Sequence, residues 1–312
     1  MNRFLLSAVV LFAFLSDAPV FRGAPSLQSA RETAISGKHF DRVLIIVLEN
    51  EGFVSATKDS YLDQLASEGV EFTGFKGATH PSYPNYLAMI SGSTFCIHGL
   101  FGDFQENFED DSLHKTIADL LDWRNYAEDY PAHPGQPPYL HSGWGKYARK
   151  HVPFLSFEKI QKTGYQNVVS VDPADPNNSF VTDVANSRRD PGDPKYKPLP
   201  RYMFYSPNLI DDGHNSDLPT ASAWLRRLLE NWFPRDARHG TLVVITFDEG
   251  EGSEWNTNHI CTIFIGDMVK KGYKDAHPYD HFSVLRTIED NFGLQTLNGG
   301  DTNASVINEI WK

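Results

Sequence analysis

The sequence predicts an α/β fold, in which a mostly parallel central sheet is flanked by helices. From residue 40 onward, apolar runs of strand length alternate with amphipathic stretches of helix length. The β-branched run at residues 43–48 has the composition of a strand that is buried on both faces. The chain of 312 residues is 40% hydrophobic and 22% charged, which excludes a disordered or fibrous protein.

Five elements are predicted in the first part of the chain. Gly69 ends a helix whose apolar positions have helical spacing, and Pro84 suits the first turn of another helix. In order, these elements are a strand at 43–48, a helix at 61–68, a strand at 72–79, and helices at 86–90 and 113–123.

The middle of the chain, residues 131–200, is rich in Pro, Gly, Asp and Asn. This composition predicts a loop-rich insertion or cap over one end of the sheet rather than an independent domain. The elements expected after it are strands at 202–205, 241–247 and 260–265 and helices at 220–232 and 282–292. No internal repeat is present, so we expect residues 26–312 to form a single domain.

Residues 1–25 have the pattern of a signal peptide and leader. Arg3 precedes a short apolar run, and small residues follow it. The run is too short to span a bilayer, which takes about 20 residues, and no other segment is long enough. We therefore expect a secreted protein without a transmembrane segment; a buried N-terminal helix is the alternative.

Two features bear on an oxidising, extracellular location. Cys96 and Cys261 could form a disulfide, although two free thiols remain the alternative. Asn177 and Asn303 each begin an Asn-x-Ser glycosylation sequon in polar surroundings.

The charge balance limits the class of partner. Lys and Arg total 28 against 40 Asp and Glu, which gives a net charge of −12. Because no long basic run offsets this charge, we do not expect a nucleic-acid polymer to bind. A small substrate is expected, and nothing in the sequence defines an oligomeric state.

Acidic residues follow two of the predicted strands directly. Glu49 and Asn50 come after the first strand, and Asp248 and Glu249 come after the strand at 241–247. Functional groups in α/β proteins collect at the carboxyl ends of strands, and carboxylate and amide oxygens suit a divalent cation. The alternative for each acid is a salt bridge or a helix cap.

Ser82 is the candidate nucleophile, because it lies where a strand is expected to turn into a helix. The alternative is that Ser82 only caps that helix. Coordination to a cation at the acidic strand ends would lower the pKa of its hydroxyl group. Asn85, one helical turn further on, could donate its amide to a phosphoryl oxygen, and His80 is a further candidate beside Ser82.

Three other histidines are candidates for a second metal, for binding phosphate or for protonating a leaving group. They are His214, His259 and His281, which lie at element boundaries, with Asp217 and Asp280 near the first and the last of them. The remaining histidines are expected on the surface or in packing: His98, His114, His133, His141, His151, His239 and His277.

Four blocks of the sequence resemble the phosphoesterase family, which contains secreted fungal acid phosphatases, related bacterial acid phosphatases and non-specific phospholipases C. They are VLEN at 47–50, HPSYPNY at 80–86, TFDE at 246–249 and YDHFSVLRTIED at 279–290. The resemblance implies an alkaline-phosphatase-like α/β fold. It further implies a metal held by residues matching Glu49, Asn50, Asp248 and Glu249, and Ser82 as a nucleophile that forms a phosphoseryl intermediate.

The chain departs from the family patterns at three points. Bacterial acid phosphatases of the group have two aspartates where this chain has Asp248 and Glu249, so the metal is left open among Mg, Ca, Mn and Zn. Phospholipases C of the family are longer and carry extra C-terminal domains, to which the resemblance does not extend; we therefore expect a phospholipase C less than a phosphatase. Tyr86 occupies the position of the arginine in the sulfatase pattern, which disfavours a sulfatase.

The sequence therefore predicts a secreted, metal-dependent phosphoric monoester hydrolase, an acid phosphatase that acts through a phosphoserine. A phosphodiesterase or phospholipase C is the alternative within the family. A non-catalytic secreted binding protein on the same fold is the second alternative. A glycosidase that uses Asp248 and Glu249 is disfavoured, because adjacent residues at a strand end point to opposite faces.

Overall fold

The computed structural model describes residues 37–99, 105–133 and 135–312. The predicted signal peptide and leader at residues 1–25 lie outside the described residues. The chain from Ser36 to Lys312 forms one compact unit.

The strands are β1 (Arg42–Leu48), β2 (Val70–Phe72), β3 (Trp123–Glu128), β4 (Gly143–Trp144), β5 (Tyr147–Ala148), β6 (Val168–Val171), β7 (Tyr202–Ser206), β8 (Thr241–Phe247), β9 (Thr262–Ile265) and β10 (Tyr273–Asp275). The α-helices are α1 (Phe53–Ala56), α2 (Ser60–Glu68), α3 (Ser82–Ser91), α4 (Ser179–Ser187), α5 (Leu218–Arg227) and α6 (His281–Asn291). Short 3-10 turns lie at Ile117–Asp119, Arg149–His151, Pro153–Ser156, Tyr165–Asn167, Arg235–Ala237, Gly252–Glu254 and Gly300–Thr302, and π-helical turns at Ile160–Gly164 and Leu228–Trp232.

Within the described residues, one large sheet has the strand order β10-β2-β9-β8-β1-β7-β3-β6. β9 runs antiparallel to β2 and β8, and every other pairing in this sheet is parallel. β1 lies in the interior between β8 and β7, which explains its unbroken apolar run. The predicted α/β class with a mostly parallel sheet is confirmed.

The prediction of a helix at residues 113–123 is wrong. A single 3-10 turn, Ile117–Asp119, is capped by Thr116, and Trp123 then begins β3. Leu113, the first residue of the predicted helix, is 80% exposed. Trp123 instead stacks on Phe154 with ring centroids 4.1 Å apart. Pairing of β3 with both β7 and β6 outweighs the local helical spacing.

Residues 131–200 are not only loops. They contain the β4–β5 hairpin, the edge strand β6 of the main sheet, and α4. Pro- and Gly-rich connections hide these short elements from a reading based on composition. The strand predicted at residues 72–79 is also displaced, because β2 ends at Phe72.

The predicted disulfide is not formed. Cys261 is buried in the core directly before β9, whereas Cys96 lies exposed beyond the end of α3, and both are free thiols. A disulfide requires Cα atoms within about 7 Å and converging side chains, which a core thiol and a surface thiol do not offer. The two sequon residues, Asn177 and Asn303, are both exposed.

None of the helices among the residues that the structure describes is long and apolar enough to cross a membrane.

Glu289 of α6 is a fully buried carboxyl group whose environment favours its neutral form. Burial, and then the negative charge of Asp301, raises the pKa of Glu289 to about 8. Asp301 is held in place by the backbone N–H groups of Leu297 and Gly299, at 2.6 and 2.7 Å. In an unfolded chain a glutamate ionises near pH ~4.3, so the folded protein retains a proton over the intervening range.

We predict that folding stability decreases as the pH rises from about 5 to 8, because the unfolded chain releases a proton that Glu289 keeps. The stabilisation by neutral Glu289 is complete below the pKa that this glutamate has in the unfolded chain. It is lost as the pH rises through its pKa in the folded protein, which is about 8. Glu289→Gln should flatten the dependence of Tm on pH over this range. The exposed control Glu309→Gln should keep the wild-type slope, and a wild-type slope in Glu289→Gln would contradict the prediction.

Candidate active site

The carboxyl ends of β1 and β8 bring the predicted acidic residues together. Leu48 is the register partner of Phe247, so Glu49 and Asp248 emerge side by side from the sheet. Oδ1 of Asp248 accepts a hydrogen bond from the backbone N–H of Asn50 at 2.9 Å. Asn50 has a φ of 50°, a left-handed conformation that asparagine tolerates better than most residues, and it turns the chain away from the strand.

Ser82 is the first residue of α3, but it does not cap the helix. Pro81 occupies the N-cap position, and its own side chain forms no cap hydrogen bond. Oγ of Ser82 lies 3.2 Å from Oε2 of Glu49 and 3.3 Å from Oε1 of Glu249. The hydroxyl group therefore faces the carboxylates of both strand ends, and the alternative of a cap is excluded.

Asn85 holds the turn that presents Ser82. Its Oδ1 accepts a hydrogen bond from the N–H of Thr79 at 3.0 Å. Its Nδ2 donates to the carbonyl groups of Thr79 and Pro81, at 2.9 and 3.0 Å. Because Asn85 is fully buried and its amide is used within the turn, its contacts are those of a positioning residue rather than of a phosphate ligand.

His80 contacts the same carboxylate as Ser82. Its Nδ1 pairs with Oε2 of Glu249, and its Nε2 hydrogen-bonds to the carbonyl of Trp255 at 2.9 Å. The imidazole also stacks on the Trp255 indole, with ring centroids 4.0 Å apart. His80 thus holds one oxygen of Glu249, and Ser82 faces the other.

His151, which the sequence placed among the packing residues, lies inside the site. It is buried, with Nε2 3.1 Å from Oε1 of Glu49 and Nδ1 3.1 Å from Oδ2 of Asp212. Its ring stacks on Tyr86, whose hydroxyl donates to Oε1 of Glu49 at 2.6 Å. Both Tyr86 and Asp212 were also missed as site residues.

No local signal identifies His151. It ends a short 3-10 turn inside the loop-rich middle segment, far from any predicted strand end. Asp212 lies after β7 in a polar stretch that also contains His214, and it accepts a hydrogen bond from the N–H of His214 at 2.8 Å. The sequence signal for Asp212 is this polar stretch, which by itself does not distinguish Asp212 from Asp211 and Asp217.

The buried carboxyl groups raise one another's pKa values. Burial, followed by the charges of Asp248 and Asp212, holds the pKa of Glu49 well above its usual range. Burial also raises the pKa of Asp248, and it raises that of Asp212 to about 7. The positive charge of Lys150 opposes the shifts at Glu49 and Asp212. Such crowding of carboxyl groups favours either protons or a cation.

The oxygen atoms of the side chains at the two strand ends are chemically suitable ligands for a divalent cation. Oδ2 of Asp248 is buried and accepts no hydrogen bond within the described residues. No group of three or more His, Cys, Asp or Glu side chains converges on one point in this part of the chain. A cation here would therefore also depend on the oxygen atoms of Asn50 and Ser82, a hard-oxygen set of the kind that Mg²⁺ or Ca²⁺ prefers.

The three predicted catalytic histidines occupy different places. His214 is exposed on the loop after β7, with its ring centroid 6.0 Å from that of His151. His259 stacks on Phe53 at 4.3 Å and hydrogen-bonds through Nε2 to the carbonyl of Thr73 at 3.0 Å. His259 therefore contributes to packing around α1 and β2.

His281 is completely buried below the end of β8. Its Nε2 hydrogen-bonds to the carbonyl of Phe247 at 3.0 Å, directly before Asp248. Burial lowers the pKa of His281 to about 4, so the ring is neutral near pH 7. This contact supports the strand end from beneath, and a neutral ring of this kind is a poor proton donor to a leaving group.

Asp217 and Asp280 are helix caps. Asp217 accepts a hydrogen bond from the N–H of Thr220 at 3.0 Å at the start of α5. Asp280 accepts one from the N–H of Ser283 at 2.9 Å at the start of α6. These bonds account for both carboxylates without a role in chemistry.

A cavity of about 260 Å³ opens beside the strand ends, and its walls contain several carboxyl groups and neither lysine nor arginine. Its lining residues include Glu49, Asn50, Asp212, His214, Asp217 and Glu251. A phosphate ester entering this cavity needs positive charge to offset these carboxylates.

The sequence matches the phosphoesterase family over residues 51–295. A phosphate-repressible acid phosphatase from Penicillium chrysogenum is 32% identical over 307 residues, covering 91% of this chain and 68% of the relative. A phosphatidylinositol-3-phosphatase from Mycobacterium tuberculosis is 31% identical over 280 residues, covering 87% of this chain and 83% of the relative.

The fold is similar to that of solved structures at low sequence identity. An alkaline phosphatase superfamily protein from Vibrio parahaemolyticus superposes with a TM-score of 0.53 at 14% identity, over 88% of this chain and 72% of that one. This similarity confirms the alkaline-phosphatase-like fold that the sequence resemblance implied.

We predict that His151→Ala lowers the free energy of unfolding at neutral pH by about 2–4 kcal/mol. The substitution removes a buried ring from its stack on Tyr86 and leaves Glu49 and Asp212 without their shared partner. Urea denaturation measures the change. The matched control is His239→Ala, whose side chain is 91% exposed and which should change stability by less than about 0.5 kcal/mol. Equal stability of the two variants would contradict the assignment.

Proposed function

The chain belongs to the phosphoesterase family of phosphoric ester hydrolases, and we propose that it is a metal-dependent phosphomonoesterase of the acid phosphatase kind with Ser82 as nucleophile. The observation that carries the proposal is the position of Ser82 Oγ, at 3.2 and 3.3 Å from carboxylate oxygens of Glu49 and Glu249. A hydroxyl nucleophile needs such neighbours for activation.

In the proposed reaction, Ser82 Oγ attacks phosphorus opposite the ester oxygen. Its proton passes to the oxygen of Glu49 or Glu249 that faces it. The bond between phosphorus and the ester oxygen breaks, and the departing alcohol takes up a proton. Of the predicted histidines, His214 is the one that lines the cavity, and we assign it to this proton transfer. Water then attacks the phosphoserine, which releases phosphate and restores the hydroxyl group.

A divalent cation bound by Glu49, Asn50, Ser82, Asp248 and Glu249 would lower the pKa of the nucleophile and offset phosphate charge. The unpartnered Oδ2 of Asp248 and the raised pKa values of Glu49 and Asp248 support this assignment. The acidic walls of the cavity add to it, since without a cation they repel a phosphate ester.

We also propose that the protein is secreted, on the basis of the signal-like pattern of residues 1–25. Assaying culture medium and cell extract separately tests this, and activity confined to the cells would contradict it. The exposed Asn177 and Asn303 would be accessible to glycosylation in the secretory pathway.

We predict that Ser82→Ala reduces hydrolysis of p-nitrophenyl phosphate by about 10³-fold or more, because the nucleophile is lost. The control Ser67→Ala removes an exposed hydroxyl group that bonds within α2 and should retain wild-type activity. A loss of less than about tenfold in Ser82→Ala would count against Ser82 as nucleophile.

The substrate class is tested with the same protein. A phosphomonoester should be cleaved in preference to a bis-ester and to a lecithin. Preference for the bis-ester or the lecithin would indicate a phosphodiesterase or phospholipase C. Failure to cleave all three across pH 4–9 would favour the non-catalytic alternative.

We predict that exhaustive chelation abolishes this hydrolysis and that a single cation among Mg, Ca, Mn and Zn restores it, because the buried carboxylates need a counter-charge. Binding of the restoring cation, measured by calorimetry, should weaken at least about tenfold in Asp248→Asn. Full activity after chelation would refute metal dependence. The control is Asp267→Asn, in an exposed residue, which should bind the cation as the wild type does.

A further inference from the structure

We propose that the indole of Trp255 is the surface on which the leaving group of the substrate stacks, which makes aromatic phosphomonoesters the preferred substrate class. This inference rests on the proposed function, because it assigns the part of the substrate that lies beyond the phosphate. It concerns a residue that none of the hydrolytic steps described above uses.

Trp255 is an unusual side chain for a protein surface because it is 49% exposed and yet fixed. One face of the indole stacks on His80 at 4.0 Å with an interplanar angle of 19°. His80 pairs with Glu249, whose other oxygen faces Ser82. The exposed part of the indole is therefore linked to the nucleophile through two side chains.

The loop that carries Trp255 is tied to the turn that carries Ser82. Nδ2 of Asn258 donates to the carbonyl of Thr79 at 2.9 Å, and Oδ1 of Asn258 accepts from the N–H of Gly250 at 2.8 Å. The carbonyl of Trp255 hydrogen-bonds to His80. An aromatic ring held in this way is ordered before the substrate arrives, so stacking on it costs little conformational entropy.

The charge of this loop restricts the leaving group further. Residues 248–258 include four carboxylates and neither lysine nor arginine. Glu251, two residues beyond Glu249, lines the cavity. An uncharged aromatic ring can use the indole surface, whereas a leaving group with its own negative charge is repelled.

The experiment compares phenyl phosphate with glycerol 2-phosphate in the wild type and in Trp255→Ala. The readout is the change, from wild type to variant, in the ratio of the kcat/KM values for the two substrates. Phenol and glycerol differ as leaving groups, but this difference is the same for both enzymes and cancels in the comparison. In Trp255→Ala we expect the ratio of phenyl phosphate to glycerol 2-phosphate to fall about three- to tenfold, because the KM for phenyl phosphate rises when the stacking surface is lost. Trp255→Phe should retain most of the preference. The control Trp144→Ala removes an indole that is 66% exposed on the β4–β5 hairpin and should leave the ratio unchanged.

An equal loss for both substrates in Trp255→Ala would overturn the proposal, because it would mean that Trp255 only positions His80. An unchanged ratio would overturn it as well. Binding of phenylphosphonate and methylphosphonate, measured by calorimetry, tests stacking without turnover. If the wild type hydrolyses neither ester, the proposed function fails, and selective weakening of phenylphosphonate binding in Trp255→Ala still decides the role of Trp255.

Discussion

The organising constraint of this molecule is the crowding of buried carboxyl groups at the carboxyl ends of two adjacent parallel strands. Glu49 and Asp248 emerge side by side because β1 and β8 pair in register, and Asp212 approaches them from the loop after β7. Carboxylates packed this closely are unfavourable unless protons, donors or a cation compensate their charge. The surrounding side chains are arranged around that requirement.

Each compensating group serves a second purpose. Tyr86 and His151 satisfy Glu49, and by stacking on each other they join α3 to the loop-rich middle of the chain. His80 satisfies Glu249 and fixes the loop that bears Trp255. The partners of the acids therefore also position the nucleophile and the walls of the cavity.

The proposed chemistry needs a hydroxyl group held among oxygen ligands, and the fold achieves this with short-range contacts. Asn85 closes the turn on which Ser82 sits, so the hydroxyl group points to the strand ends rather than capping its helix. His281, neutral in its buried position, supports the end of β8 from below. The acids and the hydroxyl group thus meet with little freedom to rearrange.

The sequence by itself determined the α/β class, the acidic strand ends and Ser82, because apolar strands and the polar residues that end them are local patterns. Only the tertiary structure decided which histidine joins the site. His151 was assigned to packing and enters the site, whereas His259 packs on Phe53. It also decided that Asp217 and Asp280 cap helices, that Cys96 and Cys261 stay apart, and that Trp123 begins a strand. The outcomes for the histidines, the cysteines and Trp123 depend on contacts between residues distant in the chain, which no local pattern encodes. The two caps are contacts between near neighbours, and the structure shows that they form.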